Sequence, residues 1–300
     1  MMKLSLNTHP SFPMAINVKN YCKTAKETPT MKHFLASMFV ITALIFSQVA
    51  SGQTTLINPA GDGGFENGAT PGLNNWTAIN SSIDSWIVGT GAGVSAGTNA
   101  AYISSTPAGA MDWTYSQLST IQHLYYDVTI PAGESKVTLQ FKWKAEGEGT
   151  TTSDWDNMKV FWGLASGISP SANTAISSTF QVSGPNAISG MYKLNSAAYN
   201  AETIVFSDVP GSTYRLVFSW KSDVSTIVNP PAAIDEVSLV SSVPGNYTSV
   251  ATGDWTNPAT WGTADFPTPV DNATISTGHT VTINALNLGA NNLTVDGTLN

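Results

Sequence analysis

A period of two in the hydrophobic pattern is the feature that most limits what this chain can fold into. Every second residue is apolar across residues 136–144, and the same alternation returns across residues 213–221. Successive side chains of a β-strand point to opposite faces, so this alternation is typical of strands buried on one face. Shorter runs of the same kind occur at 124–130 and 158–162, and no window of twelve residues has a convincing helical period. The pattern predicts an all-β chain and argues against a helical bundle.

The segment between residues 53 and 243 is predicted to form one antiparallel β-sandwich of the jelly-roll type. Its strands are separated by Gly, Pro and Asn turns, and none is followed by the helix that a parallel βαβ unit needs. Roughly 190 residues suit a jelly roll of eight or more strands. Trp143, Trp162 and Trp220 are in phase with the aliphatic residues of their strands, so we expect them in the core.

The amino-acid composition changes near residue 244. Short strand-like segments rich in Thr, Asn and Gly follow at 273–275, 280–283, 292–295 and 297–299. Short strands with Asn and Gly corners are typical of a solenoid, and a solenoid needs several repeats to bury its faces. Residues 244–300 are therefore predicted to be the first rungs of a right-handed parallel β-helix, with further domains of the same chain downstream.

The charge pattern limits the partners of this chain. Only 11% of its residues are charged, and residues 53–300 hold seven basic and nineteen acidic side chains, a formal charge of −12. Such a surface repels phosphate backbones, so we expect no nucleic-acid partner.

The N-terminal region has the layout of a secretory leader. Lys32 and His33 precede an uncharged apolar run at 34–46, and small residues follow up to Gly52. A run of thirteen residues spans only about 20 Å as a helix, too short for a bilayer core of about 30 Å. We therefore predict a signal peptide at 31–52, an upstream extension at 1–30 and no membrane span after cleavage. Cys22, the single cysteine, lies in that extension, so the exported part has no disulfide.

Two motifs at the ends of the predicted sandwich resemble jelly-roll carbohydrate-binding modules and the adhesin-type sandwiches of the Bacteroidetes group. Residues 58–67 read Asn-Pro-Ala-Gly-Asp-Gly-Gly-Phe-Glu-Asn, with a Trp at position 76, and residues 233–239 read Ala-Ile-Asp-Glu-Val-Ser-Leu. The resemblance covers the whole segment 53–243. It implies a protein that binds extracellular glycans or another surface ligand, outside the cell or on its outer surface.

The same resemblance implies a structural Ca²⁺. By position, its ligands would be Glu66 and Asp235, with Asp62 as a third. Carboxylate and carbonyl oxygens suit a hard cation, and the ion would join the first and last strands. The alternative is that Glu66 and Asp235 only cap backbone amides.

A second stretch resembles the cap that opens the β-helices of large bacterial surface proteins. Residues 253–262 read Gly-Asp-Trp-Thr-Asn-Pro-Ala-Thr-Trp-Gly. We expect Trp255 and Trp261 to plug the open end of the β-helix.

Aromatic residues in polar or turn-like contexts are the candidates for stacking on a sugar, because their flat faces are apolar. These residues are Trp86, Trp113, Tyr115, Trp155 and Tyr192.

No arrangement of residues predicts catalysis. His123 and His279 are the only histidines after residue 52, and neither has the spacing of a zinc site or a nucleophile motif. Glu146, Glu148 and the Asp154–Asp156 turn supply paired carboxylates, which an acidic turn explains more simply. We expect a non-catalytic binding or adhesion protein. The alternatives are an accessory binding domain of a larger extracellular hydrolase and a purely structural spacer.

Overall fold

The structure is a computed structural model that describes residues 53–106, 112–206, 211–285 and 288–300. The predicted upstream extension and signal peptide lie outside the described residues. Among the described residues, helical segments are single turns at Pro71–Asn74, Ser178–Phe180 and Pro258–Trp261. No helix in these ranges has the length and apolarity needed to span a bilayer.

Eleven strands form two antiparallel sheets between residues 53 and 242. In chain order they are β1 (Gln53–Ile57), β2 (Thr77–Ile79), β3 (Ser85–Gly89), β4 (Ala100–Ser104), β5 (Thr120–Thr129), β6 (Lys136–Ala145), β7 (Asn157–Leu164), β8 (Gln181–Val182), β9 (Asn195–Phe206), β10 (Thr213–Ser222) and β11 (Ala233–Ser242). The first sheet has the order β3-β4-β11-β6-β9, with β1 also paired to β11, and the second has the order β2-β5-β10-β7-β8. Consecutive strands alternate between the sheets from β4 to β7 and from β9 to β11. The prediction of antiparallel sheets is confirmed.

One hydrophobic core lies between these two sheets. Alternate residues of β6 and β10 supply it, including Trp143, Phe218 and Trp220, and β7 adds Trp162. Trp162 stacks on Phe206 with ring centroids 4.7 Å apart. The predicted core positions of the three tryptophans are confirmed, and the pair of sheets is a β-sandwich.

The outer face of the second sheet departs from simple alternation. Phe161 and Val217 point away from the main core, yet both are buried. Ile168 and other apolar residues of the segment that follows β7 pack over them. A segment distant from β10 in sequence therefore covers a face that strand periodicity alone would leave in water.

Six short strands follow the sandwich and pair in parallel. They are β12 (Asn246–Thr248), β13 (Gly253–Asp254), β14 (Asn272–Ile275), β15 (Thr280–Thr282), β16 (Asn292–Val295) and β17 (Thr298–Leu299). They form two three-stranded sheets, β12-β14-β16 and β13-β15-β17. Asn246, Asn272 and Asn292 occupy equivalent positions, and each later side chain donates to the preceding one at 2.8 and 2.9 Å. Trp255 and Trp261 are buried together, with ring centroids 5.2 Å apart.

An ionic contact joins the sandwich to the parallel sheets. The Lys136 Nζ on β6 lies 2.7 Å from Asp265 Oδ2 and 3.3 Å from Asp271 Oδ2. Burial opposes the charge of Lys136, but attraction to the two carboxylates holds its pKa above the ordinary value. The two parts of the described chain are therefore in direct contact.

Candidate binding site on the second sheet

The predicted calcium ligands Glu66 and Asp235 both hold the loop between β3 and β4. Glu66 Oε1 accepts the backbone N–H groups of Thr98 and Asn99 at 2.8 and 3.0 Å. Asp235 Oδ2 accepts the N–H of Ser95 at 2.7 Å, and its Oδ1 accepts the N–H of Glu236 at 2.7 Å. These are the contacts of carboxylates that anchor backbone amides.

Hydrogen bonds from the same loop affect the pKa values of these two acids. Burial raises the pKa of Asp235 to about 6, although its backbone hydrogen bonds act in the opposite direction. For Glu66 the opposing effect of desolvation is overcome by hydrogen bonds from Thr98 and Asn99, which leave its pKa below the ordinary value. Gly97 lies between the anchored residues with φ of +69°, and a Cβ there would lie 2.3 Å from Glu66 Oε1. The left-handed φ and the close approach of Glu66 both favour glycine at this position.

Asp62 does not join the other two acids. Its Oδ2 accepts hydrogen bonds from Asn75 Nδ2 at 2.7 Å and from the Tyr126 hydroxyl at 2.9 Å. The carboxylate thus ties the loop after β1 to β5. In this structure N–H and O–H donors reach the carboxylate oxygens of Asp62, Glu66 and Asp235, and calcium binding by these residues stays a prediction.

Three of the five aromatic candidates are buried, which corrects the expectation that they face a ligand. Trp86 on β3 is 1% exposed, Tyr115 is 3% exposed and Tyr192 is fully covered. Their sequence neighbours are polar, but partners from distant strands cover the rings, as Trp143 does for Tyr192 at 5.1 Å. None of the three offers a ring face to a ligand.

The other two aromatic candidates remain accessible to different degrees. Trp113 is half-buried, its Nε1 donates to the Pro231 carbonyl at 2.9 Å, and the Lys144 Nζ lies 4.4 Å from its ring centroid. Trp155 is 47% exposed. Trp113 is therefore engaged by the protein itself, and Trp155 is the accessible ring of the five.

The acidic residues of the loop after β6 meet an acid from the loop after β10. Carboxylate oxygens of Glu148, Asp156 and Asp223 lie within 4.8 Å of one another. Asp156 accepts hydrogen bonds from the Tyr115 hydroxyl and the backbone N–H of Asp223, and Glu148 accepts one from the Ser225 hydroxyl at 2.8 Å. Burial, with repulsion from Asp223 and Glu148, raises the pKa of Asp156 to about 6. These bonds make the cluster a link between two loops.

A cavity of about 160 Å³ opens on the outer face of the second sheet. It lies beside the covered apolar patch, where β7 and β10 carry polar residues instead. Its apolar wall is formed by Phe161 and Ile176, and its remaining lining residues are Ile121, Asp154, Asn157, Lys159, Ala175, Ser178, Gln181, Ser219 and Lys221. The volume corresponds to about five water molecules.

Strand register places the polar groups of this cavity side by side. Lys221 on β10 is opposite Asn157 on β7, and Ser219 is opposite Lys159 in the next outward-facing row. Asn157 is fully buried, and its Oδ1 has no hydrogen-bond partner among the described residues. Buried amide oxygens are normally paired, so this one is an unmet acceptor, and it has almost no accessible surface of its own.

Two lysines and one aspartate set the charge of the cavity. The Lys159 Nζ lies 2.9 Å from Asp154 Oδ2, and the Lys221 Nζ lies 3.6 Å from Asp154 Oδ1. Burial opposes the charge of Asp154, but Lys159, Asn157 and Lys221 hold its pKa below the ordinary value.

The sequence pattern predicted the strands that carry this cavity but not the cavity itself. Lys159, Ser219 and Lys221 are outward-facing residues of two predicted strands, which ordinarily face water. Ile176 and Ser178 come from a segment for which no strand was predicted. The available signal was an outward face that changes from apolar to cationic along β7 and β10.

Comparisons with known proteins find solved structures that resemble this chain only with low TM-scores. No protein-family model and no curated protein matches this chain. A cyclase from Fischerella sp. TAU matches with a TM-score of 0.38 and 15% identity, over 64% of this chain and 98% of its own. TmCBM61, solved with beta-1,4-galactotriose, matches with a TM-score of 0.36 and 12% identity, over 61% of this chain and 97% of its own. The adhesin domain of Lys-gingipain from Porphyromonas gingivalis W83 matches with a TM-score of 0.31 and 16% identity, over 63% of this chain and 97% of its own. Scores and identities this low do not decide the function of this chain.

Proposed function

We propose that this protein is an exported, non-catalytic binding or adhesion protein that holds a glycan in the cavity between β7, β10 and the segment after β7. The observation that carries the proposal is the cavity itself. It combines apolar side chains with neutral polar residues and charged groups. Small-ligand sites are typically concave and largely apolar, with a few converging polar groups.

The chemistry of a sugar ring matches these features. One face of a pyranose carries C–H groups that pack on apolar side chains such as Ile176, and its hydroxyls bond to polar side chains such as Ser178 and Gln181. The half-exposed Trp155 is next to Asp154 in the same loop, where a longer glycan would have a second aromatic surface.

The proposed architecture is a jelly roll followed by the first turns of a parallel β-helix. The alternation of consecutive strands between the two sheets supports the jelly roll. The parallel register of β12, β14 and β16 and their stacked asparagines support the β-helix. The predicted signal peptide at 31–52 supports export, which suits a protein that meets glycans outside the cell.

Binding can be tested on an immobilised glycan array with the purified protein. We expect a subset of the glycans to bind, and we expect Ser178→Trp to abolish that binding because the larger side chain would fill the cavity. Thr179→Trp is the matched control, since Thr179 is an exposed neighbour in the same helical turn and does not line the cavity.

The two variants separate the function from its location. A blank array for the unmodified protein would contradict glycan binding. Equal binding by the Ser178→Trp and Thr179→Trp variants would contradict the assignment of the cavity.

A further inference from the structure

The cavity on the second sheet has a local charge opposite to that of the protein. Residues 53–300 carry a formal charge of −12 with only seven basic side chains. Two of these seven, Lys159 and Lys221, line the cavity, where Asp154 is the one acidic residue. The cavity therefore has a net charge of +1 on a strongly acidic chain.

The charges around the cavity are of both signs. Hydrogen bonds from Ser225 and the charge of Lys221 lower the pKa of Asp223, which follows β10. Arg215, on the same face of β10, is committed to Asp127 through two parallel hydrogen bonds of 2.7 Å. Asp154 faces both lysines, but its side chain is 51% exposed. A single half-exposed carboxylate thus serves two ammonium groups.

The contacts of Asp154 show that the two lysines can bind a carboxylate. Its two oxygens face the two ammonium groups at 2.9 and 3.6 Å. Asp154 bridges the two lysines with one carboxylate, and their combined charge exceeds that of Asp154 by one. The uncharged residues Ser178 and Gln181 also line the cavity and can bond to hydroxyl groups, so charge and hydroxyl recognition involve different residues.

We infer that the glycan held in this cavity contains a uronic acid, whose carboxylate binds Lys159 and Lys221 while its ring hydroxyls approach Ser178 and Gln181. The inference rests on the proposed function and adds the chemical class of the sugar. A uronate offers a carboxylate and hydroxyls on one ring, which is the pairing that the cavity presents. The acidic surface elsewhere would disfavour long polyanions such as nucleic acids, so the attraction is local.

The test compares sugars that differ in charge alone. Calorimetric titrations of the purified protein would use oligomers of galacturonic, glucuronic and mannuronic acid, together with the methyl esters of the same oligomers. Sulfated oligosaccharides distinguish a carboxylate site from a general anion site. We expect at least one uronate series to bind about tenfold more tightly than its ester, with affinity that falls as salt rises.

Charge variants locate the effect. Lys221→Gln should weaken uronate binding roughly fivefold, whereas Lys142→Gln, on β6 of the other sheet, should leave it unchanged. Asp154→Asn should strengthen it severalfold, because the competing internal carboxylate becomes neutral while its shape is kept.

Each outcome bears on one proposal. Esters that bind as tightly as the acids, or an Asp154→Asn variant that binds uronates less well, would overturn the uronate inference and leave glycan binding standing. Preference for sulfated sugars over all three uronates would overturn the carboxylate assignment. Failure of every charged and neutral sugar to bind would contradict the proposed function itself.

Discussion

Trp76 and Trp220 allow a sharp test of the sandwich core. Both are almost fully buried in the same cluster, and both pack against other aromatic rings. They differ at the indole nitrogen. Trp76 Nε1 donates to the Asp62 carbonyl at 2.9 Å, whereas Trp220 Nε1 has no partner among the described residues. Replacing each by Phe removes the same atoms from two different hydrogen-bonding situations.

The expected free energies of unfolding follow from this difference. Loss of the larger ring costs each variant roughly 1–2 kcal/mol through reduced packing and a small cavity. Trp76→Phe also loses a hydrogen bond worth about 1 kcal/mol, for a total of roughly 2–3 kcal/mol. Trp220→Phe removes a buried, unsatisfied donor whose burial costs roughly 1–3 kcal/mol, so its packing loss is largely offset. The packing loss is common to both variants, so we expect Trp76→Phe to be less stable than Trp220→Phe by about 2–4 kcal/mol.

Urea unfolding followed by far-ultraviolet circular dichroism measures this gap, with the slope of the transition as a check that the unfolded states are alike. Trp220→Ala is the internal control, with an expected loss of roughly 3–5 kcal/mol because it empties the site. Equal losses for the two Phe variants would refute the reasoning, since they would mean that Trp220 Nε1 is not an unmet donor.

Three further outcomes are expected. Trp155→Ala should change the melting temperature far less than Trp220→Ala, because Trp155 is 47% exposed; equal losses would contradict the assigned strand faces. The free energy of unfolding should fall as pH rises from about 4 to 6, in part because of Asp156. The pKa of Asp156 in the folded chain is about 6, so over this range the folded chain keeps a proton that the unfolded chain has released. Melting at pH 4.5 and 6.5 should show a smaller fall for Asp156→Asn, and an identical fall would contradict the raised pKa. Finally, if Glu66 and Asp235 hold Ca²⁺, millimolar calcium should raise the melting temperature, and Asp235→Asn should abolish most of that rise; a melting temperature that responds neither to calcium nor to a chelator would contradict the calcium prediction.

Local periodicity accounts for the parts of the fold that were predicted from sequence. The alternation in β6 and β10 correctly identifies Trp143, Phe218 and Trp220 as core residues. The short segments after residue 244 are strands in the structure, and they pair in parallel. These features depend on residues two positions apart, or on turns within a few residues, so a single sequence displays them directly.

The candidate site was not predictable in the same way. Trp86, Tyr115 and Tyr192 have polar neighbours in sequence, yet strands far along the chain cover them. The contacts of Glu66 and Asp235 likewise depend on a loop that lies about 30 residues from one and 140 from the other. A motif can suggest that two acids are close, but it does not say which donors reach them first.

The sequence by itself determined the all-β class, the inward faces of the long strands and the acidic charge of the chain. Tertiary structure decided which outward faces stay in water. The segment after β7 covers the apolar half of the second sheet and leaves the half with Lys159 and Lys221 open as a cavity. Strand periodicity separates the two faces of a sheet through local geometry, whereas coverage of an outer face depends on where a distant, irregular segment packs.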